Sequence, residues 1–245
     1  YLKYKHIPFD SVETTTRDWL HVLLPNTGMM KIPCMQTPDG DWLRDTTPMI
    51  EWFEKKYPQY PIQPSDPVLA FYSRLIEDYS DEWMWRPALY YRWAFMDDFL
   101  HLSRRIGKEL VRAYGVPRVL GGFIGGLRQR KVFLKQDGVT KKTKKDVERT
   151  YLETLDKLEQ IFSQQNFLLG DKPCMADFGF FASMFRHFGV DPTPARIMRD
   201  RAPSVYEWVA RMWNAKSEKL KDKQWQYQAG QLPENWAPLM EDICQ

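Results

Sequence analysis

The sequence predicts an α+β chain in which a small strand-and-helix domain is followed by a larger all-helical one. Residues 31–58, KIPCMQTPDGDWLRDTTPMIEWFEKKYP, read as strand, turn, strand and helix. Pro58, Pro61, Pro64 and Pro67 then crowd a stretch too rich in proline for a helix interior, which reads as an extended linker. Beyond it, apolar residues recur at helical spacing almost to the end. The division that results is a first domain over 1–60, a linker over 61–67 and a helical domain over 68–245 with a C-terminal extension.

Taken in order, Tyr1–Lys5 reads as the tail of a helix, and Phe9–Thr14 alternates well enough for a strand. Thr15–Leu20 fits a short helix and Pro25–Gly28 a loop. Ile32-Pro33 opens the next strand, and Pro38-Asp39-Gly40 is turn chemistry between two short apolar runs. Thr46 and Thr47 are placed to cap a helix with Pro48 in its first turn, and Met49, Ile50, Phe53 and Tyr57 share one face of it. In the second domain, Val68–Tyr79, Trp83–Phe95 and Phe99–Tyr114 read as helices. Gly121-Gly122-Phe123-Ile124-Gly125-Gly126 interrupts the pattern as a bend or a close helix contact. Asp146–Ser163 is the clearest amphipathic helix, with Tyr151, Leu155 and Leu158 on its apolar face. Ala176–Phe188 is apolar on nearly all sides, so it reads as a buried central helix. Ser204 with Glu207 has the spacing of a capping box.

Composition excludes several classes. With 245 residues and 43% apolar, the chain can build a core, and disorder throughout is excluded. Its 10 Trp, 12 Tyr and 14 Phe suggest thick helical packing or an aromatic-walled pocket. The three cysteines, Cys34, Cys174 and Cys244, have neither metal nor disulfide spacing, and the four histidines are isolated. No metal site follows, and the compartment expected is a reducing one, cytoplasmic or mitochondrial. No apolar run reaches the ~18 residues of a spanning helix. Net charge is +3, yet residues 128–145 hold eight Lys and Arg against Asp137 alone. That run reads either as a solvated helix end and loop or as a surface for an anionic partner, lipid or another subunit. Nucleic acid is disfavoured, because Phe133 is the only aromatic interleaved with the charges.

Two motifs then carry a family resemblance. Lys31-Ile32-Pro33 followed by Asp45-Thr46 resembles the Val-Pro, with its cis proline, and Glu/Gln-Ser pair of the cytosolic glutathione S-transferases. Cys174-Met175-Ala176-Asp177, just after Leu168-Leu169-Gly170, resembles the Ser/Thr-x-x-Asp capping box of that family's central helix. The resemblance covers Tyr1 to about Ala215 and implies an incomplete thioredoxin-like domain followed by a helical bundle of glutathione transferase type. It implies glutathione as co-substrate, with the backbone of Ile32, before Pro33, pairing with the cysteinyl part. Thr46, at a helix N-terminus, would take the γ-glutamyl carboxylate and Asp45 the ammonium group. Read without the resemblance, Thr46 is an N-cap and Asp45 a turn carboxylate. Cys174 puts a thiol, a weak acceptor, in place of the usual hydroxyl, so the capping box is expected to be half made, with Asp177 as the structural cap. Tyr79, Trp83, Trp85 and Tyr90 are pocket-wall candidates or ordinary packing residues. Cys34 is a poor nucleophile, because a residue right after a strand proline packs into the sheet.

In the family, the first strand and helix carry the Tyr, Ser or Cys that activates the glutathione thiol. Here the chain opens at what would be that helix's end, so the given sequence is expected to lack the front of the domain, and no catalytic residue is assigned. Two functions remain open at this point. One is a transferase conjugating glutathione to a hydrophobic electrophile. The other is a non-catalytic, transferase-like module, such as an accessory subunit of a mitochondrial or membrane-associated assembly. Glutathione and a homodimer or larger assembly are the partners implied.

Overall fold

A computed structural model describes residues 1–29, 31–114, 118–128, 130–131 and 134–244. The fold is α+β, with one small two-stranded sheet and a large helical majority. The chain divides into two compact units, residues 1–62 with 216–218, and residues 63–215 with 219–245.

In the first unit, β1 (Cys34–Gln36) and β2 (Trp42–Arg44) pair antiparallel, with Cys34 opposite Arg44 and Gln36 opposite Trp42. The turn between them is closed by Thr37 N–H donating to Asp41 C=O at 2.8 Å and Gly40 N–H to Thr37 C=O at 3.0 Å. Gly40 sits at φ 94°, a conformation open to glycine at no steric cost. The helix Thr46–Lys56 buries Met49, Ile50 and Phe53, and the Tyr57 ring stacks on Phe53 at 6.1 Å. Glu54 ties this helix to both flanks. It accepts from the Tyr1 hydroxyl at 2.6 Å, the buried Lys5 ammonium at 2.8 Å and the Ile62 N–H at 3.0 Å.

Two readings of the early chain are corrected here and one stands. Phe9–Thr14 is not a strand: β1 and β2 pair with each other, and the segment finds no ladder among the described residues. A strand exists through its hydrogen bonds to a neighbour, so alternation alone cannot hold one, and Phe9 and Val12 stay exposed. Tyr1–Lys5 does end as a helix tail does: Lys5 N–H makes an i→i−4 bond to Tyr1 C=O, His6 sits at φ 55°, and Ile7 N–H reaches back to Leu2 C=O. The short helix begins at Thr16 but runs on, through a wide turn at Trp19–Leu23 and then Leu24–Thr27. Pro25 follows the wide turn within this continuous run, and Gly28 ends it at φ 72°.

In the second unit, the helix Pro67–Asp78 starts where the Asp66 carboxylate accepts from Leu69 N–H at 2.9 Å. The helix Met175–Ser183 packs chiefly on the helix Pro67–Asp78 and also on Pro203–Asn214, and continues as a wider turn at Met184–Phe188, against which Trp85–Ala94 lies; Lys144–Phe162 packs on Trp85–Ala94 and Pro203–Asn214. Tyr151 and Phe188 stack at 4.1 Å in this core, and Trp208 stacks on Phe162 at 4.6 Å. The C-terminal segment is part of it: Trp236 is fully buried, its indole N–H on Leu168 C=O at 2.7 Å.

Ser204 and Glu207 do not form a capping box. Pro203 starts the helix one residue early, so Ser204 is already inside the first turn. The cap comes from across the core, where the Glu159 carboxylate accepts from the Ser204 N–H and hydroxyl and from the Val205 N–H at 2.7–3.2 Å. The glycine-rich segment is likewise not a break. The helix Arg118–Arg128 runs through all four glycines and packs against the helix Met96–Tyr114. The close-contact reading holds at Gly126, where an added Cβ would lie 2.4 Å from Ser103 Oγ.

A buried ion pair sits at the head of the helix Pro192–Arg201. Arg92 Nε donates to Asp191 Oδ2 at 2.8 Å, and Arg92 Nη2 to Arg186 C=O at 3.0 Å. His187 lies in this region with its ring edge-on to Trp85, and its buried Nδ1 has no hydrogen-bond partner. Burial, with the charges of Arg92 and Arg186, pushes the imidazole down to about 3. The folded value lies below the ordinary one, so the neutral form is favoured by folding. The resulting stability is complete above about pH 6.5 and is lost as pH falls toward 3. Between pH 7 and pH 5 this group alone is expected to remove about 2 kcal/mol, at 1.36 kcal/mol per pH unit. Denaturant titrations at the two pH values should show that loss in the wild type and a clearly smaller one in His187→Phe; equal losses would refute it.

Candidate functional site

The strand pair and the helix that follows it build one end of the first unit. The ladder ends with Cys34 opposite Arg44, so Ile32 and Pro33 come directly before β1, and Asp45 and Thr46 come directly after β2. These four sequence-predicted residues therefore flank the open end of the hairpin, away from the Pro38-Asp39-Gly40 turn. The Ile32–Pro33 peptide is cis. Ile32 is 62% exposed, and neither its N–H nor its C=O bonds to another described residue. Both of its backbone groups are open to a ligand.

The helix cap corrects the sequence reading. Asp45, not Thr46 or Thr47, is the N-cap: Oδ1 accepts from Thr47 N–H at 3.3 Å and the Asp45 C=O accepts from Met49 N–H at 3.1 Å. An acidic residue at this position outcompetes a threonine inside the helix, because its carboxylate also faces the positive end of the helix dipole. Asp45 is held at φ 69° and ψ 129°, an unusual conformation for a side-chain-bearing residue and one that costs on the order of 1–3 kcal/mol. Capping by Asp45 leaves Thr46 unused. Its N–H and hydroxyl make no hydrogen bond with other described residues, and the side chain is exposed. One carboxylate oxygen, one N–H and one hydroxyl thus remain at a helix N-terminus, a set that fits an amino-acid end with its adjacent ammonium and carboxylate.

Cys34 lies half-buried on β1, and burial pushes its thiol up, away from a reactive thiolate. The four aromatic candidates do not share one environment. Tyr79 is buried against Phe180, its hydroxyl 3.4 Å from Thr154 Oγ1. Tyr90 is buried between Tyr91 and Phe95 and donates to Glu148. Burial pushes both phenols up, so neither ionises near neutral pH. Trp83 and Trp85 are 50% and 45% exposed, one beneath the Arg86 guanidinium and the other beside His187. Among the described residues, no group of three or more His, Cys, Asp or Glu is placed to hold a metal ion.

The N-terminus of the central helix holds the second motif. Asp177 is fully buried. Its Oδ2 accepts from Cys174 N–H at 2.9 Å and from the Cys174 thiol at 3.3 Å. Its Oδ1 accepts from Leu168 N–H and from the Trp208 indole, both at 3.0 Å. Burial outweighs these donors and pushes the carboxyl up to about 6, so it is ionised at neutral pH. Sequence reasoning missed one partner: Ser73, from the helix Pro67–Asp78, accepts from Ala176 N–H at 3.2 Å. The reciprocal box is itself made, contrary to the expectation for a thiol: the Cys174 side chain takes the Asp177 N–H and Asp177 takes the Cys174 N–H, and Ser73 adds an acceptor one position earlier. The signal was a serine at helical spacing between Leu69 and Ile76, on the helix's buried face.

Known proteins agree with this architecture. Among curated proteins, none matches the sequence. Several solved structures share the fold at low identity. The β-etherase LigF of Sphingobium sp. strain SYK-6 is 17% identical, with a TM-score of 0.58 over 91% of this chain and 92% of that one. A glutathione S-transferase of Rhodospirillum rubrum F11 is 14% identical, with a TM-score of 0.56 over 96% of this chain and 90% of that one. A glutathione S-transferase of Methylobacterium radiotolerans, solved with glutathione sulfonate, is 16% identical, with a TM-score of 0.50 over 95% of this chain and 91% of that one. Residues 1–61 match the N-terminal domain of glutathione S-transferases and residues 127–216 their C-terminal domain, together more than half of the chain. With both domains matched, in that order, on the fold their sequences require, the chain belongs to the glutathione S-transferase family.

Proposed function

We propose that this chain binds glutathione at the open end of the β1–β2 hairpin and serves the conjugation of its thiol to a hydrophobic electrophile. The observation that carries the reading is a set of unused groups at that end of the hairpin: the backbone of Ile32, just before β1, and the N–H and hydroxyl of Thr46, just after β2. The strained backbone of Asp45 supports it, because such conformations persist where a site requires them. The glutathione S-transferase of Methylobacterium radiotolerans, solved with a glutathione derivative, gives the same support at the level of the family.

In this reading each residue has one task. Ile32 pairs through its backbone with the cysteinyl residue of glutathione and fixes the direction of the sulfur. Thr46 donates its N–H and hydroxyl to the γ-glutamyl carboxylate, aided by the helix dipole. The second oxygen of Asp45 accepts from the γ-glutamyl ammonium, while the first stays on Thr47 N–H. In the reaction, the thiol gives up its proton, the sulfur forms a bond to an electrophilic carbon, and a leaving group departs with the electron pair of the bond it breaks.

The test is calorimetric titration with glutathione, with retention on immobilised glutathione alongside. A hydroxyl donating to a charged group is worth about 1.5–3 kcal/mol. Thr46→Ala is therefore expected to weaken affinity about tenfold or more, with the thermal midpoint unchanged because Thr46 is exposed. A wild type that does not bind, or a variant that binds equally well, overturns the proposal.

A further inference from the structure

The helices Met96–Tyr114 and Arg118–Arg128 pack against each other, and among their described side chains several large apolar ones are exposed. Met96 is 60% exposed, Leu100 41%, Phe123 51% and Ile124 55%. Met96 and Leu100 are one helical turn apart, on the helix whose Phe99 ring meets Phe123 edge-on at 5.9 Å. Gly126 lets the two backbones approach there, since an added Cβ would lie 2.4 Å from Ser103 Oγ and 2.9 Å from Phe99. The exposed apolar side chains of both helices thus lie around one shared contact.

Basic residues bracket this patch. Arg104 and Arg105 follow Leu100 by about one turn and are exposed. At the other end, Arg130 and Lys131 are exposed, and Arg130 Nη2 donates to Ala94 C=O at 3.4 Å, which places it beside the start of the helix bearing Met96. Asp97 is the exposed acid of that helix's first turn; its neighbour Asp98 is buried on Thr193 N–H. An apolar centre with cations at both ends is the pattern of a helix pair that lies in a bilayer interface: the apolar groups enter the headgroup region while Arg and Lys meet anionic lipid. No helix among the described residues is long and apolar enough to cross a membrane.

We propose that this helix pair docks the protein on an anionic lipid surface. Charge decides against a second copy of the chain on the same patch, because either two-fold pairing would set basic ends against basic ends. Met96, Leu100, Phe123 and Ile124 all fall outside the residues matched to the two family domains, so the proposal is independent of the glutathione reading.

The test is co-sedimentation of the full chain with vesicles of phosphatidylcholine alone and of phosphatidylcholine and phosphatidylserine in equal parts. Binding is expected to the anionic vesicles only, and to weaken as salt is raised. The pair Arg130→Glu with Lys131→Glu should lower the partition coefficient at least tenfold, since each cation near such a surface contributes on the order of fivefold. Leu100→Ser with Ile124→Ser should lower it comparably, with an unchanged thermal midpoint and unchanged glutathione titration. Equal binding to neutral vesicles, no binding to either, or a shift from dimer to monomer in the apolar variants with no loss of vesicle binding would overturn the proposal.

Discussion

Asp177→Ala is expected to destabilise the helical unit by about 3 kcal/mol at pH 7, and the value follows from two opposed effects. The substitution leaves three buried N–H donors, on Cys174, Leu168 and Trp208, without an acceptor. Each orphaned donor costs about 1–3 kcal/mol. Against this, removing the carboxylate relieves a buried charge. Its value of about 6 lies roughly two pH units above an ordinary aspartate, a relief of at most about 3 kcal/mol at 1.36 kcal/mol per unit. With the loss at mid-range, near 6 kcal/mol, about half survives. Asp177→Asn keeps an oxygen for Leu168 and Trp208 but points an amide donor at Cys174 N–H, so it should fall between wild type and alanine. Thermal unfolding followed by circular dichroism reads the effect as a drop of about 6–12 °C for alanine. A drop under about 2 °C would mean that the network does not organise this helix.

Gly179→Leu should cost about as much, through packing. Gly179 lies in the centre of the helix Met175–Ser183, and a Cβ there would stand 2.4 Å from Ser80 Oγ and 2.9 Å from Glu77 Cα. The serine can rotate away, but Glu77 Cα is backbone, so the helices must separate. Replacing a helix glycine with a better helix former gains about 1 kcal/mol of propensity. Overpacking a core costs about 1–3 kcal/mol for added methylenes and more where backbone must move. The clash therefore outweighs the propensity gain, and the expected loss is about 3 kcal/mol. Gly179→Ala should lose less and Gly138→Ala, with no atom within 4 Å of the added Cβ, should respond only to its left-handed backbone. A thermal midpoint for Gly179→Leu at or above the wild type would refute the close crossing.

These two cases show where sequence reading reached and where it stopped. The hairpin at Pro38-Asp39-Gly40 and the helical face of Met49, Ile50 and Phe53 were legible because turn chemistry and periodicity act over a few residues. The run of apolar residues from Ala176 onward told of a buried helix, and Leu155 and Leu158 at helical spacing told of an amphipathic one, for the same reason. Caps were harder to read. Ser204-x-x-Glu207 looked complete, yet Glu159, some forty-five positions away in sequence, does the capping. Ser73 and Asp66 likewise act through backbone that only folding brings near or orders. Tyr79, Trp83, Trp85 and Tyr90 looked alike as neighbours in sequence, but burial separates the tyrosines from the exposed tryptophans.

By itself the sequence determined the class of fold and the order of its two parts. Both follow from local conformational preference and from periodic burial, which a chain carries with it. Ile32, Pro33, Asp45 and Thr46 entered as site candidates through the family resemblance. The tertiary structure alone decided that Phe9–Thr14 is not a strand, that Asp45 and not Thr46 caps the helix, and that the glycine segment is a helix closely packed on its neighbour. Each of these depends on which partner reaches a group first, and a hydrogen bond or a close contact between distant residues has no signature until both ends are in place.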